Sequence, residues 1–490
     1  MAIKSIEVGV VDGSSVQRMS EGEKVEGGPN PKDERKLLWR IDLGLLPLMA
    51  GSILLQYLDK QTLNSASIMG IIQDLNLEGR EYSWTSSIFY FGFFAFTYVA
   101  SFLMVRLPIG RFLASTFLIW AVCVGHHAAT TNYAGLMVVR FFLGAAGASI
   151  TPGFSLITGM WYRRQEQPLR HGIWFVGTSV GIMFGGLLAY AIAHIQGGIG
   201  PWKWSFIIFA LITIAWAIIL LWFLLDTPGN ARFLSKELRD IAISRVRTNQ
   251  TGIKNNEFKW YQVREALLDI KDWLVVLFIC CVSVCNGALG TFSSLVIQGF
   301  GFDIFETCLF NLAIGAVHAV FGIVATWICG QYKDVRCMVA ATFLVGSMLV
   351  RFGPNQGSKV FGFLIFFAYP TTIAIGLSMI SSNVTEFTNK SVASSMLTVF
   401  YCVGNIIGPF LFIPDEAPTY PSGFIGTTTC FGIALLLIAA LRLTLQFDNK
   451  RRDRSQVTDG SIAENGESNS EWSPLNDDTD KENLHFRYVL

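Results

Sequence analysis

The sequence predicts an all-α membrane protein with twelve transmembrane helices in two groups of six. Three observations predict this fold class. Only 15% of the 490 residues are charged and 52% are hydrophobic, whereas a soluble protein carries about 25% charged residues. The apolar residues form runs near the roughly 20 residues that cross a bilayer core of about 30 Å. The two groups of runs also match each other in sequence.

Twelve apolar runs predict the transmembrane helices, with six runs on each side of a polar central interval. The first six cover residues 41–58, 84–105, 112–125, 135–162, 173–193 and 205–225. The second six cover residues 273–296, 307–330, 337–350, 360–382, 391–413 and 423–445. A large soluble helical protein would have to bury nearly all of these helices on every side, which argues against that alternative.

The polar segments divide the chain into five regions. They are an N-terminal segment at 1–36, a six-helix bundle at 37–226, a central loop at 227–272, a second bundle at 273–447 and a tail at 448–490. Both end segments are polar and poor in aromatic residues, which predicts disorder. In the central loop, SKELRDIAISRVR from Ser235 has an N-cap residue, early acids and late bases, so we expect a helix at the membrane face.

Lysine and arginine collect on alternate loops, which predicts the orientation of the chain. The loop WYRRQEQPLR and both chain ends are rich in these residues, whereas the loops HHAATTNYAG and PDEAPTYPSG contain none. By the positive-inside rule, both termini of this multi-pass protein are expected to be cytoplasmic.

The composition also argues against several classes of function. A net charge of +1 without a basic stripe predicts no nucleic-acid partner. The nine cysteines form no ligand-spaced set with histidine, so we expect neither a metal site nor a disulfide framework. The sequence has no nucleotide-binding loop and no nucleophile motif, so we expect neither an enzyme nor a cofactor. The expected partners are the lipid bilayer and a small molecule, and the chain is expected to be a monomer.

The two groups of six runs repeat each other. VASFLMVRLPIGR from Val99 aligns without gaps to VATWICGQYKDVR from Val324, which puts Arg111 on Arg336. WFVGTSVG (174–181) aligns to YCVGNIIG (401–408) at nearly the same offset. These two matches between equivalent runs indicate a duplicated six-helix unit. Parallel repeats of six helices are typical of major facilitator transporters, whose substrate site lies near the midplane between the halves.

Five motifs in order carry a narrower resemblance. They are LDKQTLNSASIMG (58–70), SWTSSIFYFGFFAF (83–96), RFFLGAAGASITPGF (140–154) followed by WYRRQEQPLR, DTPGNARFLS (226–235), and YCVGNIIGPF (401–410) with PDEAPTYPSG (414–423). Over about residues 37–447 the chain resembles the fungal anion:cation symporters, and more narrowly the allantoate permease group. The resemblance implies a twelve-span facilitator fold and uptake of a small carboxylate, such as allantoate, nicotinate or pantothenate, across the plasma membrane. It implies the proton gradient as the driving force.

The resemblance also indicates two equivalent gating loops. MVRLPIGRF, which contains Arg111, and YKDVR, which contains Asp334 and Arg336, occupy the positions of the facilitator loop motif. The first loop lacks the acidic residue of that motif, whereas the second keeps it as Asp334. The loop NVTEFTNKS (383–391) stands where relatives carry a small-residue stretch resembling Gly-His-Thr-Lys.

Arg140 is the first candidate for binding or coupling. It stands about six residues inside the outer end of the fourth run, where a charge costs at least a few kcal/mol unless it faces protein or water. With Gly144 and Gly147 after it, the segment resembles a facilitator pattern. The guanidinium could bind a carboxylate, or hold a partner acid until a proton releases it. The alternative is a structural arginine that bonds carbonyl groups or extends outward.

Other ionisable candidates are Asp59, Lys60 and His318. Asp59 and Lys60 follow the first run, so they are predicted to form an ion pair at its outer end near the entrance, or to be interfacial charges. His318 lies in the middle of the eighth run, where it could carry a proton or bond a neighbouring helix. His126, His127 and His194 stand at outer ends and are predicted to be interfacial.

The uncharged candidates could form hydrogen bonds with a carboxylate or an amide of the substrate if they face the cavity. If they face neighbouring helices, they would form hydrogen bonds between helices instead. They are Asn286, Asn311, Tyr401 and Asn405. The aromatic residues Tyr57, Trp174 and Tyr369 could flank a flat ligand, with packing as the alternative.

Three functions fit these features. Proton-coupled uptake of a small organic anion is favoured, partly because the fifth run, GTSVGIMFGG, lacks the Gly-Pro pair that is common in antiporters. The alternatives are an exporter of a fungal secondary metabolite or drug, and a nutrient receptor that signals without transport.

Overall fold

The computed structural model consists of long α-helices that pack side by side. It describes residues 31–163, 166–195, 198–224, 260–331, 336–367 and 387–463, together with 235, 238, 239, 241, 242, 245, 369, 372, 373 and 379. The first half contains α1 (Pro31–Ile68), α2 (Glu81–Arg106), α3 (Ile109–His127), α4 (Tyr133–Trp161), α5 (Gln167–Ala193) and α6 (Pro201–Phe223). The second half contains α7 (Ile270–Gly299), α8 (Ile304–Gln331), α9 (Arg336–Phe352), α10 (Gln356–Phe366), α11 (Phe387–Ile407) and α12 (Pro421–Ala463).

Within the described ranges, ten helices are long and apolar enough to cross a membrane. The other two predicted spans correspond to α9, which has 17 residues, and to α10, of which 11 residues are described. The predicted all-α membrane fold is confirmed. A turn at 148–149 divides α4 into Tyr133–Gly147 and Ile150–Trp161 without ending the span.

Three helix ends lie beyond the predicted boundaries. α1 runs from Pro31 and α12 continues to Ala463, so the prediction of disorder is wrong for residues 31–36 and 448–463. A helix that already exists adds polar residues without a new nucleation cost, which explains how α12 extends past its apolar run. α1 also passes its predicted limit at Leu58 and ends at Ile68.

The helix ends form two faces, which we call near and far. The near face carries the start of α1 and the end of α12, and the far face carries the α1–α2 and α7–α8 connections. The contact surface between helices α1–α6 and helices α7–α12 is called the seam. Contacts across the seam are made by α5 with α8, α2 with α11, and α1 with α7.

Part of the central loop is fastened to the near face of the first half. Arg245 is 2% exposed and donates to Glu34 of α1 at 2.8 Å and to Glu166, just before α5, at 2.6 Å. The segment Trp260–Leu268 is helical and leads into α7. The described residues cover only part of the helix predicted from Ser235, and of these 238, 239, 241, 242 and 245 are helical.

Glycines bring α5 against α1 in the first half. A Cβ atom on Gly177 would collide with the carbonyl oxygen of Ala50, and one on Gly181 would lie 2.8 Å from that of Leu54. Only a residue without a side chain lets two helix backbones approach this closely.

The second half repeats the same contact between α11 and α7. A Cβ atom on Gly404 would lie 2.5 Å from the carbonyl oxygen of Cys280, and one on Gly408 would collide with that of Val284. Gly404 and Gly408 are the residues that the sequence aligns with Gly177 and Gly181. The internal repeat is therefore also a repeat of helix packing.

Gly404→Ala is predicted to separate α11 from α7, because the added methyl group has no room against the Cys280 carbonyl. Overpacking of this kind costs about 1–3 kcal/mol, so the thermal unfolding midpoint of the purified protein should fall. Gly290→Ala on α7 is the matched control, because its Cβ atom meets nothing within 4 Å. An equal fall in both variants would contradict the proposed packing role.

Candidate functional site

On the far face, α1 and α7 are joined by uncharged hydrogen bonds across the seam. Asn64 donates from Nδ2 to Ser293 Oγ at 2.6 Å and accepts at Oδ1 from the backbone N–H of Ser294 at 3.1 Å. Tyr82, at the start of α2, donates to the carbonyl oxygen of Thr291 at 2.9 Å. These residues are buried, so the bonds exclude water from this part of the seam.

Three serines near the start of α2 add contacts to α7, to the end of α11 and to the residues just after it. Ser83 donates to the Pro409 carbonyl at 3.1 Å and Ser87 donates to the Ile406 carbonyl at 2.8 Å. Ser86 shares a hydrogen bond of 2.7 Å with the Thr291 hydroxyl. Positions three and four apart lie on one face of a helix, which is how SWTSS directs all three hydroxyls to the seam. The halves are thus in contact on the far face.

Two basic side chains, Lys60 of α1 and Arg140 of α4, lie inside the bundle. Arg140 is 3% exposed and its Nε atom has no hydrogen-bond partner. Lys60 Nζ lies 5.0 Å from the centre of the Tyr90 ring, and Lys60 and Arg140 are within electrostatic range of each other. In the part of the chain that the structure describes, neither forms an ion pair with a carboxylate.

Local sequence fixes the position of Arg140. Asn132 caps α4 by accepting the Gly135 N–H at 2.8 Å, which sets where the helix begins two turns before Arg140. One turn after it, Gly144 packs directly on the Phe89 carbonyl of α2. These contacts fix the position of Arg140 along α4 and the close approach of α4 to α2.

Asp59 is buried on a different side of α1 from Lys60. It is 1% exposed; its Oδ2 atom accepts from the Trp120 indole at 2.7 Å and from the Thr213 hydroxyl at 3.1 Å. Its Oδ1 atom has no partner. The prediction of an Asp59–Lys60 ion pair at the end of the first helix is wrong, because α1 continues to Ile68 and adjacent helical residues point in different directions.

The second half contributes an uncharged cluster. Asn286 of α7 donates to Asn405 Oδ1 at 2.8 Å and lies 3.4 Å from the Tyr401 hydroxyl. Tyr369 donates to Asn286 Oδ1 at 2.5 Å, and Asn405 donates to the Tyr401 carbonyl at 2.8 Å. Three of the four predicted uncharged candidates are thus brought together with Tyr369.

Tyr90 connects the cationic and uncharged clusters. Its ring meets Lys60 on one side and makes an edge contact with the Tyr401 ring of α11, with 6.1 Å between ring centres. Tyr57 and Tyr369 are also within electrostatic range of Tyr90. Cations from one half and amides and phenols from the other therefore meet at the seam.

Comparison with known proteins agrees with this geometry. Residues 49–411 match the model of the Major Facilitator Superfamily. The chain belongs to this superfamily. It is 34% identical to the allantoate permease of Saccharomyces cerevisiae, with 94% of this chain and 87% of the relative aligned. An uncharacterized transporter of Schizosaccharomyces pombe is also 34% identical, with 93% of this chain and 88% of the relative aligned.

Solved facilitator structures share the fold. A bacterial homologue of the lysosomal transporter Spinster superposes with a TM-score of 0.64 at 13% identity, covering 81% of this chain and 96% of that one. A D-xylose–proton symporter superposes with a TM-score of 0.62 at 11% identity, covering 80% and 96%. The family match and the 34% identical relatives, rather than these structures, show that the protein is a membrane transporter of a small molecule and not an enzyme.

Two predicted candidates lie elsewhere along the facilitator seam. His318 of α8 shares a 2.9 Å hydrogen bond through Nδ1 with Ser179 of α5, which matches the alternative of a bond to a neighbouring helix. Asn311 donates to the Thr307 carbonyl at 3.4 Å and lines a separate crevice. Neither residue is part of the Lys60–Arg140 cluster.

Three further predictions concern the near face and the histidines. Arg111 is exposed at the start of α3 and Arg336 begins α9, which are equivalent places; Asp334 lies outside the described residues. His127 is buried and stacks on Phe206 at 4.7 Å, so its interfacial prediction is wrong. Trp174 packs on Phe175 in the near-face core.

Sequence reasoning missed Tyr90 and the partners of Asp59. Tyr90 stands in an aromatic-rich helix, where nothing in the sequence distinguishes it from packing residues. Trp120 and Thr213 are 61 and 154 residues from Asp59, so only the fold brings them to it.

Asn64→Ala is predicted to open the far face more often, because it removes two hydrogen bonds across the seam. Neutral bonds contribute about 0.5–1.5 kcal/mol each, so the open-to-closed ratio should rise about tenfold. Pulsed electron paramagnetic resonance between labels carried by encoded amino acids at the exposed residues Glu78 and Asp303 would measure this ratio.

Ser115→Ala serves as the control, since that hydroxyl bonds only the Arg111 carbonyl of its own helix. Unchanged distances in Asn64→Ala would show that these bonds do not hold the far face closed.

Proposed function

We propose that this facilitator takes up a small organic anion together with protons by alternating access. The observation that carries the proposal is the pair of cations inside the bundle, the half-buried Lys60 and the buried Arg140, without a carboxylate partner among the described residues. An isolated buried charge is costly unless it is paired, and two like charges also repel each other. A bound anion would offset both costs, which supports a carboxylate as the ligand of these two cations.

The shape of the site supports a planar carboxylate. A guanidinium presents its N–H donors in a flat fork that matches two carboxylate oxygens, whereas an ammonium adds a point charge. Tyr90 and Tyr401 supply ring surfaces beside these donors. Allantoate, for which the 34% identical permease of Saccharomyces cerevisiae is named, is such an anion.

Asp59 is the proposed proton carrier. A fully buried carboxylate without a cationic partner is more stable when protonated, and its free Oδ1 can take the proton while Trp120 and Thr213 continue to donate to Oδ2. Protonation at Asp59 would then alternate with release as the halves move. One solved structure with this fold is named as a proton symporter.

The distribution of lysine and arginine supports an orientation with both termini cytoplasmic. The similarity to a fungal allantoate permease supports a plasma-membrane carrier. In that orientation the far face is extracellular, and the hydrogen bonds of Asn64 and Tyr82 close the site to the outside. A single twelve-helix chain contains both halves of the site, which favours a functional monomer.

Uptake is the direct test of the anion site. Yeast cells without their own organic-anion permeases would be offered labelled allantoate, nicotinate, pantothenate and simple mono- and dicarboxylates at pH 5 and pH 7. One anion should accumulate at pH 5, and a protonophore should abolish the accumulation. Arg140→Ala and Lys60→Gln should each lower kcat/KM at least about tenfold, as expected for the loss of a charged hydrogen-bond donor.

Lys203→Gln is the matched control, because Lys203 also lies over an aromatic ring, that of Trp202, but at the far face. Equal losses in Lys203→Gln and Lys60→Gln would contradict an anion site. If no anion accumulates while surface expression is normal, the proposal of uptake is wrong. Efflux of a metabolite would then be the activity to measure.

Asp59→Asn tests coupling separately from binding. The amide stays neutral, so exchange of the anion across the membrane should continue while protonophore-sensitive accumulation is lost. Asp74→Asn is the control, since Asp74 also accepts a tryptophan indole, that of Trp202 at 2.6 Å, on the far face. Persistent uphill accumulation in Asp59→Asn would exclude this residue as the proton carrier.

A further inference from the structure

A second polar feature, a crevice on the far half of the seam, is not explained by the anion site. It lies between α1, α5, α6 and α8. Its walls are apolar at Leu58, Ile182 and Phe209, and polar at Gln61, Thr62, Asn64, Ser65 and Asn311. No lining residue is ionisable, in contrast to the Lys60–Arg140 cluster.

Three of the polar side chains have hydrogen-bonding capacity left over. Gln61 makes only a long bond of 3.5 Å from Nε2 to the Tyr57 hydroxyl, and Asn311 makes only a 3.4 Å bond from Nδ2 to the Thr307 carbonyl. The side-chain oxygens of Gln61 and Asn311 and the hydroxyl of Ser65 have no hydrogen bond among the described residues. Gln61 and Asn311 are half-buried at the wall of the crevice, so their free polar atoms are available to a ligand there.

The crevice lies next to the anion site along α1, because its lining residue Gln61 directly follows Lys60. Gln61 and Tyr57 are one helical turn apart on α1 and in contact, and Tyr57 is within electrostatic range of Tyr90, whose ring meets Lys60. Gln61 belongs to the first half and Asn311 to the second, so a ligand in the crevice would contact both. A molecule anchored at Lys60 could extend past Tyr57 toward these amides.

We propose that this crevice is a specificity subsite for the uncharged, hydrogen-bonding end of the transported anion. The inference rests on the proposed function and adds the residues that select the tail. Gln61 and Asn311 each offer a donor and an acceptor, which is the complement of a carboxamide or urea group. The apolar walls would contact the carbon chain between the two ends.

Gly185 leaves its part of the crevice wall open. Its Cβ position has only the Leu58 Cγ atom nearby, at 3.9 Å, so an alanine would project into the crevice without a clash. The next residue is different, because a Cβ atom on Gly186 would lie 2.5 Å from the Cys308 carbonyl of α8. Gly186 is thus required for packing, whereas Gly185 is available for filling the crevice.

The test compares carboxylates that differ only at the far end. Ligand-induced thermal stabilisation of the purified full chain would be measured with ω-carbamoyl carboxylates containing two, three and four methylene groups. Each is paired with its isopropyl isostere, for example glutaramate with 5-methylhexanoate. At one chain length at least, the amide should bind about tenfold more tightly, as two or three neutral hydrogen bonds allow.

Variants of the crevice then show which residues produce the preference for the amide over its isostere. Gln61→Leu and Asn311→Leu should each reduce the amide-to-isostere ratio about threefold or more, and Gly185→Ala should weaken the amide in a protein of normal stability. Gly172→Ala, the same change on α5 at a position with nothing within 4 Å, should leave the ratio unchanged.

Different results would contradict the subsite and the anion site. Equal binding of amide and isostere at every length, or a ratio that no crevice variant alters, would overturn the subsite while Arg140-dependent binding upholds the anion site. No stabilisation by any of the six carboxylates would overturn the subsite, and it would overturn the anion site as well if no anion accumulates in the uptake assay.

Discussion

Two positive charges lie inside the bundle without an acidic partner among the described residues, and this constrains the rest of the structure. A bilayer does not solvate Lys60 or Arg140, and a charge at its centre costs at least a few kcal/mol. The protein must therefore keep both side chains away from lipid and near a place that water or an anion can reach. Only the seam between two bundles meets both conditions, and the helix contacts bring the two side chains there.

The two kinds of helix contact have different strengths, and this difference suits a carrier. Within each half, Gly177 and Gly404 bring backbones so close that one methyl group would disrupt the packing. Across the far seam, the halves are joined by single hydroxyl and amide bonds, each contributing about 0.5–1.5 kcal/mol. Rigid halves with a weaker contact between them can move relative to each other without unfolding, which alternating access requires.

The sequence predicted those features of the fold that follow from hydropathy and from the internal repeat. The helix positions follow from apolar runs, the equivalence of Gly177 and Gly404 follows from the alignment of the halves, and the burial of Arg140 follows from its place inside a run. The sequence prediction was wrong for Asp59 and Lys60. It ended the first helix at Leu58, because the polar segment that follows resembles a loop in composition. The helix continues through these polar residues because side chains of other helices, such as Trp120, form hydrogen bonds with them. Such distant partners leave no local signal in the sequence.

The most direct test of the central claim is a cryo-electron microscopy structure of the protein with the accumulated anion bound. We expect the carboxylate between Lys60 and Arg140, within hydrogen-bond distance of both, with the ring of Tyr90 beside it. An anion bound elsewhere in the seam, or an acidic side chain of the protein paired with these two cations, would contradict the account.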